Sequence, residues 1–99
     1  MVKGGSVYII TNSSHTTIYT GVTSELLYRI QDHRNKKYPK SFSAKYNLNK
    51  LVFYESFHSI EEAIAREKQI KSGSRGKKLK LINNFNPDWK DLYNEIVKW

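Results

Sequence analysis

The chain has 99 residues, 38% of them hydrophobic, no cysteine, and a formal charge of +8 from 17 Lys+Arg against 9 Asp+Glu. That length suits one domain with a small core, and the lack of cysteine excludes disulfides, thiolate metal sites and Cys nucleophiles. No window approaches the roughly 18 apolar residues of a membrane span, and no signal-peptide apolar region follows the basic N-terminus, so a soluble cytoplasmic protein is expected.

Residues 1–5 read as a loose start. The runs SVYIIT (6–11) and TIYTGV (17–22) are rich in β-branched and aromatic residues and are joined by a polar turn over 12–16, which predicts a hairpin. Thr23 or Ser24 is suited to cap a helix running to about His33, with Leu26, Leu27 and Ile30 as its apolar stripe. Residues 34–50 contain Pro39 and no sustained period, so they read as a long basic loop with a short helical piece around Phe42–Tyr46. LVFYESF (51–57) returns to strand character. Ser59 and Glu62 then form a capping-box pattern for a helix to about Lys71. Residues 72–76 break it, and a basic helix over about 77–84 follows. Asn86-Pro87-Asp88 predicts a closing helix over 86–99, with Trp89, Leu92, Tyr93 and Ile96 on one face. The sum is a single α+β domain, a small three-stranded sheet covered by helices. The first two strands should be antiparallel, and the third can join either edge.

Charge is unevenly placed. Between Arg34 and Lys50 there are six basic residues and no acidic one; between Arg66 and Lys80 there are seven, opposed only by Glu67. Such clusters suit a polyanion, because each neutralised phosphate releases condensed counterions. Lys36, Lys37, Lys40 and Lys45 in the first cluster, and Lys68, Lys71, Arg75, Lys77 and Lys78 in the second, are the candidate phosphate contacts.

Glu67 is the sharpest anomaly. At about 100° per residue it falls in the middle of the stripe made by Ile60, Ala63, Ile64 and Ile70, where an ionised carboxylate is costly unless a cation or strong donors meet it. Arg29 and His33 are four apart on the preceding helix and share one flank. Arg can grip a phosphate with two parallel hydrogen bonds, and His can move a proton near neutral pH. Tyr8 and Tyr19 lie on adjacent strands and can point to the same face. His15 and His58 sit at turn positions without an identifiable partner and read as surface. One carboxylate among basic residues argues against a two-metal site.

Val7-Tyr8-Ile9, Tyr19-Thr20-Gly21, Arg29 with His33, and the lone Glu67 together resemble the GIY-YIG nuclease domain. The similarity is greatest to small stand-alone bacterial proteins described as excinuclease-subunit-C-like endonuclease domains, whose pattern is also like EEAIAREKQIK (61–71) and Asn86-Pro87-Asp88-Trp89. The resemblance implies a three-stranded antiparallel sheet flanked by helices and a metal-dependent endonuclease acting on nucleic acid, DNA in the first place, in repair or recombination. By that resemblance Glu67 is the ligand of one Mg²⁺ or Mn²⁺, and Arg29 the phosphate-stabilising arginine. Tyr19 positions or deprotonates the attacking water with Tyr8 beside it, and His33 takes the place of a supporting His or Tyr. An unperturbed tyrosine near pKa 10 is a poor base at neutral pH, so that role needs the arginine and the metal to lower it. Val22 stands where some relatives carry Lys. Asn83, Asn84 and Asn86 are candidates for an Asn that relatives place after the Glu. Many relatives also carry a separate DNA-binding domain, so a protein partner for target choice is a further expectation. The alternative from another class is a non-catalytic nucleic-acid-binding domain, or a subunit of a larger assembly, which the charge explains equally well.

Overall fold

The structure, a computed structural model, describes residues 4–98; the first part of the expected loose start (1–3) and the end of the closing segment (99) lie outside the described residues. Strands β1 (Gly5–Thr11), β2 (Ile18–Thr23) and β3 (Lys50–Phe57) form one sheet in the order β2-β1-β3, antiparallel throughout. The helices are α1 (Leu26–Arg34), α2 (Phe42–Lys45), α3 (Ile60–Lys71), α4 (Arg75–Phe85) and α5 (Tyr93–Ile96). The α+β expectation with a three-stranded antiparallel sheet is met, and the third strand joins the free edge of β1.

β1 takes the centre because its sequence is apolar in both registers. All seven of its residues are buried. Successive side chains point to opposite faces, so Tyr8 and Ile10 enter one core with Leu26, Ile30, Leu51 and Ile96. Val7 and Ile9 enter another with Phe53, Ala63, Ile70 and Ile82. A bulge opposite Ile9 and Ile10 shifts the β3 register, pairing Ile10 with Leu51 and Ile9 with Phe53. The extra residue lets both Val52 and Phe53 serve the second core before Tyr54 returns to the first.

Helix ends follow local side-chain chemistry with three departures from expectation. Ser59 caps α3 by accepting from the Glu62 N–H at 3.2 Å, and its hydroxyl donates to Glu62 Oε1 at 3.1 Å. For α1, neither Thr23 nor Ser24 is the cap residue: Thr23 stays in β2, its hydroxyl accepts from the Glu25 N–H at 3.0 Å, and the helix opens at Leu26. α4 opens at Arg75, two residues earlier than expected, because the Ser74 hydroxyl accepts from the Lys77 N–H and draws the chain into helix. Ile64 leaves the apolar stripe of α3 and is 36% exposed, whereas Ala63 and Ile70 are buried.

The third departure is the closing helix, which shrinks to the four residues of α5. Asn86 ends α4 rather than starting a new helix. Its buried amide donates to Val52 O at 3.2 Å and Lys90 O at 2.8 Å, and its oxygen accepts from the Lys90 N–H. Trp89 is thrown into the left-handed region with φ 52°. Asp91 Oδ1 then accepts from the Leu51 N–H, and the Leu92 N–H donates to Leu51 O at 2.7 Å. Residues 86–92 thus lie along the outer edge of β3 and satisfy its backbone, which a helix there would leave bare. Leu92 and Ile96 still reach the core as the apolar pattern requires.

Replacing Asn86 with Ala would strand these carbonyls. Asn86→Ala should cost about 1–3 kcal/mol, read as a lower denaturation midpoint in urea with the helical and strand content of the native state unchanged.

Candidate active site

Pairing across the hairpin puts Tyr8 opposite Gly21 and Ile10 opposite Tyr19, so both tyrosines project from the same face of the sheet. Tyr8 is only 2% exposed, and its phenol lies across Gly21 so closely that any Cβ at position 21 would overlap it. The second glycine of the motif is therefore a steric requirement of the first tyrosine. Its hydroxyl lies 2.9 Å from His33 Nε2, with the two rings 5.6 Å apart. The ring of Tyr19 lies 6.2 Å from His33 and 6.1 Å from Phe42.

Arg29 and His33 do share a flank of α1. Together with Tyr19, Lys36, Ser41 and Phe42 they line a cavity of about 170 Å³ in the angle between β2, α1 and α2. Arg29 is exposed and free to reach a ligand, whereas His33 is half-buried and held on both nitrogens, its Nδ1 lying 2.8 Å from Ser43 Oγ. Burial, reinforced by the Arg29 charge and only partly opposed by Asp32, lowers the His33 pKa below the ordinary 6.5. Burial likewise lifts the Tyr8 phenol well above its usual range; Tyr19 and Glu67 push the same way and Arg29 against. Tyr8 is consequently a phenol at neutral pH.

Glu67, with a side chain 15% exposed, approaches the same place from α3. Its Oε2 meets Lys71 Nζ at 3.1 Å, and that ammonium stands 5.7 Å from the centre of the Tyr19 ring. The cation that a half-buried carboxylate demands is thus supplied one helical turn away. Among the described residues no group of three or more His, Cys, Asp or Glu could cage a metal. A lone carboxylate suits a hard divalent cation that keeps most of its shell as water and substrate oxygen, as Mg²⁺ does, and does not suit zinc.

The basic candidates separate in space. Lys36 walls the cavity while bonding Asn47 Oδ1, and Lys71 sits over Tyr19. Lys37, Lys40 and Lys45 are exposed on the loop around α2, with Lys45 over the Tyr46 ring. Lys77 and Lys78 line a separate groove of about 360 Å³ between α3 and α4. Lys68 is exposed on α3, and Arg75 donates to Thr16 O, tying α4 to the hairpin turn. Of the asparagines, Asn86 is committed to β3 and Asn83 Oδ1 accepts from Trp89 Nε1 at 2.6 Å. His15 is not a bare surface residue: its ring stacks on Trp89 at 4.8 Å and bonds Lys50 Nζ at 2.8 Å. Two hydroxyls that sequence reasoning left out, Ser41 and Ser43, border the cavity. Nothing in their spacing marks them, because the His they meet belongs to another element.

The polar cavity sits at one edge of a three-stranded antiparallel sheet in a small α+β domain. Residues 4–80 match the family model described as the GIY-YIG catalytic domain, and the chain belongs to that family. It is 39% identical over 82 residues to a UPF0213 protein of Syntrophus aciditrophicus, covering 83% of this chain and 92% of that one. To UPF0213 protein CPE1444 of Clostridium perfringens it is 38% identical over 94 residues, covering 91% and 95%. It is also similar to the solution NMR structure of UPF0213 protein BH0048 from Bacillus halodurans, with a TM-score of 0.56, 30% identity, and coverage of 89% and 92%. GIY-YIG proteins are a nuclease family that acts on nucleic acid, generally with a divalent metal. No helix among the described residues is long and apolar enough to cross a membrane.

Two outcomes follow from the packing. Gly21→Ala should push the Tyr8 ring off His33 and lower stability by about 1–3 kcal/mol, seen as a reduced melting temperature together with altered aromatic resonances of Tyr8. For His33, the unfolded chain takes up its proton first as pH falls through about 6.5, because the folded pKa is the lower one. The stability it contributes is full above that pH and is lost as pH falls below it toward the lower folded pKa. Thermal denaturation across that range should show a steeper loss for the native protein than for His33→Gln.

Proposed function

We propose that the protein is an endonuclease that hydrolyses phosphodiester bonds of nucleic acid, DNA in the first place, with one divalent cation, in repair or recombination. What supports the reading is that Lys71, paired with Glu67 on α3, stands over the ring of Tyr19, which lines one cavity with Arg29 and with the His33 that holds Tyr8. Bare charge binding needs no such arrangement.

Hydrolysis must stabilise extra negative charge on the phosphate oxygens in the transition state. Arg29, exposed at the rim of the cavity, neutralises that charge from one side. Glu67 would hold Mg²⁺ or Mn²⁺, which would supply positive charge to the phosphate when bound. Tyr19, the tyrosine less deeply buried than Tyr8, orients the attacking water; Tyr8 stays protonated and is held by His33. Lys71, paired with Glu67 and standing over the Tyr19 ring, contacts the phosphate backbone. The exposed lysines of both clusters extend that contact, and Phe42, Tyr46 and Tyr38, all more than 40% exposed, offer faces on which bases can stack. A protein partner that selects the target is compatible with a single domain of this size.

The test is cleavage of branched, nicked and linear DNA, first in EDTA and then in Mn²⁺. The native protein should cut only with the metal. Glu67→Ala and Arg29→Ala should each lose at least about 100-fold in rate with unchanged melting temperature, and Glu67→Ala should keep most DNA binding. Equal cutting by Glu67→Ala refutes the metal assignment. Salt-sensitive retention of DNA without cleavage in either condition identifies a binding domain instead.

A further inference from the structure

Position 43 sits in a segment without chemical signal, on a helix of four residues, yet its side chain is buried and its Oγ lies 2.8 Å from His33 Nδ1. The other ring nitrogen, Nε2, lies 2.9 Å from the Tyr8 hydroxyl. A neutral imidazole has one N–H and one lone pair, so it donates on one side and accepts on the other. Tyr8 decides which. Its hydroxyl belongs to a residue 2% exposed and has no other hydrogen-bond partner among the described residues. A buried O–H left without an acceptor is costly, so Tyr8 donates to Nε2. The ring proton is then on Nδ1 and needs an acceptor, which is Ser43 Oγ. Ser43 passes its own proton to Ser41 Oγ, 3.2 Å away, and that oxygen also accepts from the Ala44 N–H. Each donor from Tyr8 through Ser43 then has an acceptor. Burial and the neighbouring Arg29 keep the imidazole neutral, the form on which the arrangement depends.

We infer that Ser43 is a positioning residue that accepts the Nδ1 proton of His33, fixes the ring as the Nδ1–H tautomer, and leaves Nε2 as the acceptor that holds the Tyr8 phenol beside Tyr19. The tautomer stands on the hydrogen-bond geometry of the neutral ring, while its effect on cleavage rests on the nuclease reading above. Without the Ser43 hydroxyl nothing reads Nδ1. The ring can then turn or present Nε2–H to Tyr8, where two donors face each other. Outer partners that orient site residues carry effects of roughly 10- to 100-fold at metal centres.

The experiment is a ¹⁵N spectrum of the histidine rings in the full chain above about pH 7.5, where an ordinary imidazole is neutral, with His33 assigned by its loss in His33→Gln. The native protein should show Nδ1 protonated and Nε2 bare. Ser43→Ala should lose that preference and lower kcat about tenfold with KM unchanged, and Ser43→Thr, which keeps the hydroxyl, should restore both. A native spectrum with the proton on Nε2 overturns the inference, as does a Ser43→Ala spectrum indistinguishable from the native one. Should Ser43→Ala fail to fold, the native and Ser43→Thr spectra still decide. A native protein that cuts no nucleic acid would sink the nuclease reading and leave the spectral result standing.

Discussion

The structure depends on a buried phenol. Tyr8 lies in the central strand, where a side chain on this face has no route to solvent, and its hydroxyl must find an acceptor inside the protein. Three features elsewhere in the chain meet that demand. Gly21 leaves room for the ring on the neighbouring strand, α1 brings His33 within 2.9 Å, and α2 supplies Ser43 to hold the far side of the imidazole. The hairpin, the first helix and the long loop are thereby locked to one another through a single polar chain, of which His33, Ser43 and Ser41 line the cavity with Arg29 and Tyr19.

On the other side of the sheet the constraint is apolar. Val7, Ile9, Ala63, Ile70 and Ile82 pack α3 and α4 against β1, and that packing orients α3 so that Glu67 emerges toward β2. The acid is largely covered, its side chain 15% exposed, and it is paired with Lys71.

The distribution of charge supports a division of labour. Lys36 borders the cavity itself and Lys71 stands over the Tyr19 ring, while Lys77 and Lys78 line a separate groove between α3 and α4. The acidic residues of the C-terminal segment are used differently. Asp91 pairs with Arg34 at 2.6 Å and caps the Leu51 N–H, so it fastens the tail to the sheet edge rather than offsetting the positive surface.

The amino-acid sequence alone determined the strands, the α3 cap at Ser59 and the alternation that buries β1 on both faces, because these depend on neighbours within a few positions. It also marked Glu67, since a carboxylate on an apolar stripe is visible as a broken period. The family resemblance carried the two tyrosines, Arg29 and His33. What only the tertiary structure decided is where partners distant in the chain meet. Asn86-Pro87-Asp88 has every local mark of a helix start, yet Asn86 bonds Val52 O and the helix gives way to an edge-covering segment. Ser43 carries no mark at all, and its relation to His33 arises from the path of the loop. Hydrogen bonds between remote groups are settled by which polar atoms burial leaves in need of one another, and no spacing in a linear chain records that need.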